Sequence, residues 1–235
     1  MPYENLDIMR DIPLSLEIED IYEKIVIRGR GGYCFELNGL YAWLLRELGF
    51  EVTEYMARYL RDEKEIPMRR HRVLRVGTWS AATSKNTDYL CDVGVGAIIP
   101  REPLPMVLGH VTEQGSEGPL LSERYKLEKE SFFGNVLYEW KKNKWQKVYS
   151  FTEEEQLNID YVMPSFYCEK HPESFFRTMD MVHIFTDDGR KSVAAGAAGA
   201  GRELKIFSPA GVEVIVPASE KIYHELLEIH FGIIL

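Results

Sequence analysis

"RGRGGYCFELNG", residues Arg28 to Gly39, decides how this chain is read. Gly29, Gly31 and Gly32 loosen the backbone just before Tyr33 and Cys34. From there Leu37, Leu40, Tyr41, Leu44, Leu45 and Leu48 recur at the three-and-four spacing of a helix with one buried face. Gly49 closes it, as glycine often does just past a last turn. Cys34 shares the inward stripe and occupies the first turn, so the spacing predicts an enclosed thiol at a helix N-terminus. Unpaired N–H groups and the positive end of the helix dipole favour a thiolate there. The same groups can stabilise an oxyanion, worth about 3 kcal/mol per donor. The upstream glycines are expected to let those groups come close to a reacting atom. Read alone, Cys34 is equally a small buried residue after a turn.

Beyond the helix the texture changes to strands. "FEVTEYMARYL", "HRVLRV", "YLCDVGV" and "ERYKLEK" are rich in β-branched and aromatic residues, and "NVLYEWKKNKWQKVYSF" reads as a hairpin turning near Lys142-Asn143-Lys144. After the acidic "TEEEQLNIDYVMP" come three short strands, "VHIFTDDGRKSV", "RELKIF" and "VEVIV". "SEKIYHELLEIHF" then forms a terminal helix with Ser219 as its N-cap. "AAGAAGAG", Ala194 to Gly201, is a poor helix and a poor strand by propensity and reads as a loop or linker. The organisation is that of an α+β chain: a helical segment over 1–50, a β-rich middle over 51–152, and a linker with a small α/β tail over 153–235.

At 235 residues the chain can bury a sizeable core, and 45% hydrophobic with 28% charged residues is an ordinary globular composition. No stretch approaches the roughly 18 apolar residues of a membrane span. The N-terminus has no charged start and apolar run of a secretory signal, so a reducing cytoplasm is the expected location. Cys34, Cys91 and Cys168 are widely spaced and make neither a disulfide framework nor a zinc site, so no metal is expected. A net charge of −9 argues against a nucleic-acid partner and requires a local basic cluster for any anionic ligand.

A thiol needs a base to become a catalyst. His71 opens "HRVLRV" and Asp92 lies in "YLCDVGVG", joined through "GTWSAATSKNT". A hairpin centred near Ala82 brings His71 opposite Asp92 or close to it. An acid on one imidazole nitrogen fixes the tautomer and turns the other nitrogen to a thiol. Taken separately, His71 is also an ordinary strand-end histidine and Asp92 an ordinary turn former.

"PYENLD", "RGGYCFELN", "HRVLRV" and "DVGVG" together resemble the arylamine N-acetyltransferases, over nearly the whole chain. The cysteine box is the most specific part, through Arg30, Gly31, Gly32, Cys34, Glu36 and Asn38. The resemblance implies a helical bundle, an antiparallel β-barrel and an α/β lid, in a cysteine-protease-like core arrangement. It implies Cys34 as acetyl-accepting nucleophile, His71 as its base and Asp92 as the residue orienting the histidine. It further implies a Glu4–Arg30 ion pair and a place for Tyr3 in the acceptor pocket. Members usually carry some thirty further residues before "PYENL", and their first helices are expected to be missing here.

The implied reaction moves acetyl from acetyl-CoA to Cys34 and then to an aromatic amine or hydrazine, as in xenobiotic metabolism, without a metal. For the phosphates of CoA the chain offers Arg72 among Arg69, Arg70 and Arg75, together with Arg101; Gly94 and Gly96 would let the cofactor approach the backbone. Tyr3, Tyr33 and Phe35 are candidates for a flat acceptor pocket, and Phe132 and Phe166 add to an aromatic supply that is mostly core. An amide synthase, a thiol hydrolase or transglutaminase-like enzyme on the same three residues, and a silent CoA-binding homologue stay open as alternatives.

Overall fold

Helix and strand alternate here for local reasons that the backbone shows directly. The computed structural model describes residues 1–80, 85–96, 100–115, 123–195 and 201–235. In chain order the elements are β1 (Tyr3–Glu4), α1 (Leu6–Met9), α2 (Ile18–Tyr22) running into a π-helical turn (Glu23–Ile27), α3 (Cys34–Glu47), β2 (Glu51–Tyr59), β3 (His71–Ser80) and β4 (Lys85–Cys91). There follow β5 (Leu104–Pro105), β6 (Val111–Gln114), β7 (Glu123–Glu130), β8 (Gly134–Lys141), β9 (Lys144–Glu155) and α4 (Val162–Lys170). The chain ends with β10 (Val182–Thr186), β11 (Gly189–Ala195), β12 (Arg202–Ser208), β13 (Gly211–Ile215) and α5 (Glu220–Phe231). They sort into two units, Met1–Leu40 with Gly94–Ile99 and Ser165–Leu235, and Tyr41–Val93 with Pro100–Pro164.

The second unit is an eight-stranded antiparallel sheet in the order β5-β4-β3-β2-β9-β8-β7-β6. Alternate residues of seven strands, among them Tyr55, Val73, Leu90, Leu104, Leu127 and Phe151, meet in one core, so the sheet wraps around itself. Beyond β5, Leu108 bridges to Leu127 of β7, and the Gly109 N–H donates to the Leu127 carbonyl at 2.8 Å, which nearly closes the barrel. The opposite face of β3 and β4, with Leu74, Val76 and Cys91, packs on Ala42 and Leu45 of α3. Lys142 (φ 51°) and Asn143 (φ 57°) make the two-residue β8–β9 turn, whose paired positive φ matches the twist of a hairpin.

In the first unit β1 joins β10 at the edge of a five-stranded antiparallel sheet, β1-β10-β11-β12-β13. Leu6, Val182, Val193, Leu204, Tyr223, Leu227 and Phe231 fill its core against α5. The α5 cap is as expected: Ser219 Oγ accepts from the Ile222 N–H at 3.3 Å, and Gly232 ends the helix at φ 72°. No helix among the described residues is long and apolar enough to cross a membrane.

Several local expectations are corrected. Residues 31–40 are buried on every side, whereas Leu44 and Leu48, placed on the inward stripe, are 43% and 64% exposed. "VHIFTDDGRKSV" is two strands, β10 and β11, paired from Thr186↔Gly189 back to Val182↔Val193, because the two aspartates make the turn. Much of "GTWSAATSKNT" continues β3 and β4. Ala194 and Ala195, expected in a linker, pair with Glu203 and Arg202; residues 196–200 lie outside the described set, as does the hairpin centre at Ala82. β1 and α4 carry no amphipathic signature and were not anticipated. Phe132 and Phe166 are exposed and belong to no core.

Candidate active site

Of the glycines before Cys34, Gly29 takes a positive φ of 66° with open space beside it, whereas Gly31 and Gly32 stand against neighbouring atoms. A Cβ on Gly31 would lie 2.2 Å from the Pro2 carbonyl oxygen, and one on Gly32 would lie 3.0 Å from the Glu36 side chain. β1 runs along this turn, the Glu4 N–H donating to the Gly32 carbonyl at 2.9 Å. Tyr33 is the N-cap of α3, since its carbonyl accepts from the Leu37 N–H at 2.9 Å; Cys34 is the first helical residue. Glu36 reaches back to the Tyr33 N–H at 3.1 Å, half of a capping box.

Beneath this turn lies a buried charge cluster. Lys24 Nζ sits 2.7 Å from Glu36 Oε1 and 2.8 Å from Asp7 Oδ2. Arg30 Nη2 sits 2.8 Å from Glu4 Oε1 and 2.9 Å from Asp7 Oδ1, so Glu4 and Arg30 are brought together. Burial raises the Asp7 carboxyl, but Lys24 and Arg30 outweigh it and leave the group below its usual range. Burial likewise lowers Lys24, and Glu36, Glu4 and Asp7 reverse this to a net rise. For Glu36 burial wins over Lys24, and its pKa is raised.

Two expected cofactor residues pack tightly in the same unit. A Cβ on Gly94 would fall 2.6 Å from Asn38 Nδ2 and 2.7 Å from Cys34 Cα, so only glycine brings this backbone onto the cysteine turn. Gly96, at φ 63°, stands where a Cβ would be 2.8 Å from the His183 ring. His183 faces Tyr3 at 5.9 Å between ring centroids, and burial, followed by the charge of Arg190, pulls its pKa down to about 4. Tyr33 and Phe35 are fully buried, edge to face at 5.4 Å. The Tyr33 hydroxyl is 2.5 Å from Ser165 Oγ, and burial pushes its pKa well up.

In the barrel unit the β3–β4 register runs from Ser80↔Lys85 to Leu74↔Cys91. Continuing it puts Asp92 beside Val73, two residues from His71 and on the same inward face. The pair is therefore diagonal, which suits a long side chain reaching across a twisted sheet. His71 Nε2 and Asp92 Oδ2 are 2.7 Å apart and both residues are buried. With Asp92 accepting from Nε2–H, the imidazole lone pair is on Nδ1. The Tyr149 ring lies 5.3 Å from that of His71, and burial, then the Asp92 charge, pushes its hydroxyl well above the ordinary range. Burial also raises Cys91 to about 12, which keeps this thiol protonated at neutral pH.

The basic run of β3 is matched by carboxylates. Arg72, 3% exposed, pairs with Glu54, contacts Asn158 Oδ1 at 3.3 Å and lies 4.4 Å over the Tyr161 ring. Arg75 pairs with Asp88 at 2.9 Å and Arg70 with Glu63 at 3.3 Å, while Arg101 is half-buried. Among the described residues no group of His, Cys, Asp and Glu is arranged to hold a metal. Sequence reasoning missed Lys24, Asp7 and Tyr149; the one available signal was the match of Glu36 to a capping position three residues after Tyr33.

A family model described as N-acetyltransferase matches residues 1–232. An arylamine N-acetyltransferase of Mycobacterium tuberculosis H37Rv is 34% identical over 237 residues, 99% of this chain and 78% of that protein. That of Mycolicibacterium smegmatis is 34% identical over 221 residues, 90% and 76% of the two chains. The structure of Mycobacterium marinum arylamine N-acetyltransferase in complex with CoA superposes with a TM-score of 0.83 at 32% identity, covering 99% of this chain and 81% of that one.

Proposed function

Because this chain belongs to the arylamine N-acetyltransferase family, we propose that it moves an acetyl group from acetyl-CoA to an aromatic amine or hydrazine by double displacement through Cys34. The Cys34 thiolate adds to the thioester carbonyl, the C–S bond to CoA breaks, and CoA leaves as a thiol with the proton returned by His71. The amine nitrogen then adds to the Cys34 thioester, His71 takes its proton, and the thiolate is released as the amide forms. Asp92 holds the imidazole so that Nδ1 is the exchanging nitrogen. The N–H groups at the start of α3 are donors for the tetrahedral oxyanion.

The observation that carries this reading is the buried His71–Asp92 hydrogen bond at 2.7 Å, in a chain whose Cys34 opens a helix under a glycine that only glycine can fill. Tyr3, which faces His183 in the sheet, is proposed for the acceptor pocket, and Gly94, Gly96 and Arg101 for the donor. Tyr33 and Phe35 back that pocket from the interior. Arg72, held by Glu54, steadies the strand that carries His71. Foreign aromatic amines are the proposed substrate class.

Intact mass spectrometry with acetyl-CoA and no amine tests this. One acetyl group is expected on Cys34, lost when an arylamine is added, and absent in Cys34→Ser and His71→Ala. Turnover of acetyl-CoA to acetate with no transfer to amine would overturn the reading in favour of a hydrolase.

A further inference from the structure

On the outer face of the barrel, the β2–β9 register sets Arg58 beside Ser150, opposite in parity to the inward Ala57, Tyr149 and Phe151. A separate cavity of about 190 Å³ opens there, lined by Arg58, Arg69, Phe132, Phe133, Ser150 and Thr152. Arg58 Nη1 donates to the Pro67 carbonyl at 2.5 Å, and no carboxylate among the described residues pairs with Arg58. Arg69 has only Glu154, at 3.5 Å and itself 70% exposed. The two guanidiniums are close enough that the charge of Arg69 adds to burial in lowering the pKa of Arg58. Ser150 is 1% exposed at the cavity wall. The Phe132 and Phe133 rings meet edge to face at 5.0 Å, Lys147 Nζ lies 4.8 Å over Phe133, and the Phe132 ring is 68% exposed.

Arg70, Arg72 and Arg75 of the β3 run each sit against a carboxylate, whereas Arg58 has none among the described residues and Arg69 has only the distant, exposed Glu154, in a chain of net charge −9. Two planar guanidinium forks facing one space suit a phosphate, whose oxygens accept paired N–H donors. An exposed ring beside them suits a flat base. The volume is below the roughly 300 Å³ that encloses a whole drug-sized ligand, so only one end of a molecule fits.

We propose that this cavity binds a phosphomonoester carried on an aromatic base, with Arg58 and Arg69 on the phosphate and Phe132 against the base. Two sources share that chemistry: the 3′-phosphoadenosine end of the acyl donor, and a free nucleotide.

Calorimetric titration of the full chain with adenosine 3′,5′-bisphosphate tests the site, with adenosine and inorganic phosphate as partial probes. The bisphosphate is expected to bind at least tenfold more tightly than either fragment, and more weakly as salt rises. Arg58→Met is expected to weaken it tenfold or more. Phe132→Ala, at an exposed position the fold tolerates, is expected to weaken it several-fold. Competition by saturating CoA assigns the site to the donor's own end, an arm that rests on the acetyl-CoA reading; binding that CoA leaves untouched assigns it to a free nucleotide. Absence of binding, or binding that both variants leave unchanged, overturns the proposal. Acetylation of Cys34 is read by mass independently, so failure of the transferase reading is distinguishable from failure of this one.

Discussion

Lys24 shows what a single residue carries in this fold. Its ammonium is the shared partner of Glu36 and Asp7, all three buried. Lys24→Met strands Glu36, while Asp7 keeps Arg30, and is expected to destabilise the chain by about 3–5 kcal/mol in urea denaturation, because a broken buried pair leaves an uncompensated charge. Adding Glu36→Gln should recover part of that loss. His183 predicts a pH effect. Its folded pKa of about 4 lies below the ordinary 6.5, so the unfolded chain takes up a proton that the folded chain refuses. Stability from this group is therefore present above 6.5 and lost as pH falls toward 4, by up to about 3 kcal/mol. His183→Phe should flatten the denaturation midpoint across that window. Spacing and hairpin logic made His71 and Asp92 legible, and the register resolves the expected closeness as a diagonal pair. Lys24 was not legible, since nothing marks a lysine as buried when its partners lie at positions 7 and 36.

Elements were legible where turn chemistry or periodicity is local. The β8–β9 hairpin follows from Lys142 and Asn143, and α5 from Ser219 and Gly232. Ser219→Ala is expected to cost about 1 kcal/mol in thermal unfolding through the lost cap. α4 hid itself because its burial is inverted: Ser165, Cys168 and Glu169 face inward while Val162, Met163 and Phe166 are exposed. A hydrophobic pattern cannot reveal such a helix. The glycines of the cysteine box stand out in the sequence, but the space Gly31 and Gly32 leave for Pro2 and Glu36 depends on residues whose closeness the sequence does not show. Gly94→Ala tests the same kind of contact at α3. The added methyl must displace Asn38 or Cys34, so the rate of acetyl uptake is expected to fall by tenfold or more while the far-ultraviolet dichroism is retained.

At the scale of the molecule, each unit is woven from distant chain segments. The sheet of the first unit pairs β1 with β10, about 180 residues apart, and the barrel pairs β2 with β9 across nearly 100. Such long-range pairing makes folding slow, on the order of milliseconds to seconds. Fragments 1–93 and 94–235 each lack strands that both units need, so neither is expected to give dispersed amide spectra alone. An α+β chain with a β-rich middle could be read from composition and texture, whereas interleaving of the units could not, because it depends on which strands meet. The borders of the barrel are short, β5 of two residues and β6 of four. Few backbone groups are left there for a neighbouring copy to extend the ladder. For a biochemist this means that crowding in a concentrated stock finds little foothold at the barrel's own rims, and filament growth has to start elsewhere on the molecule.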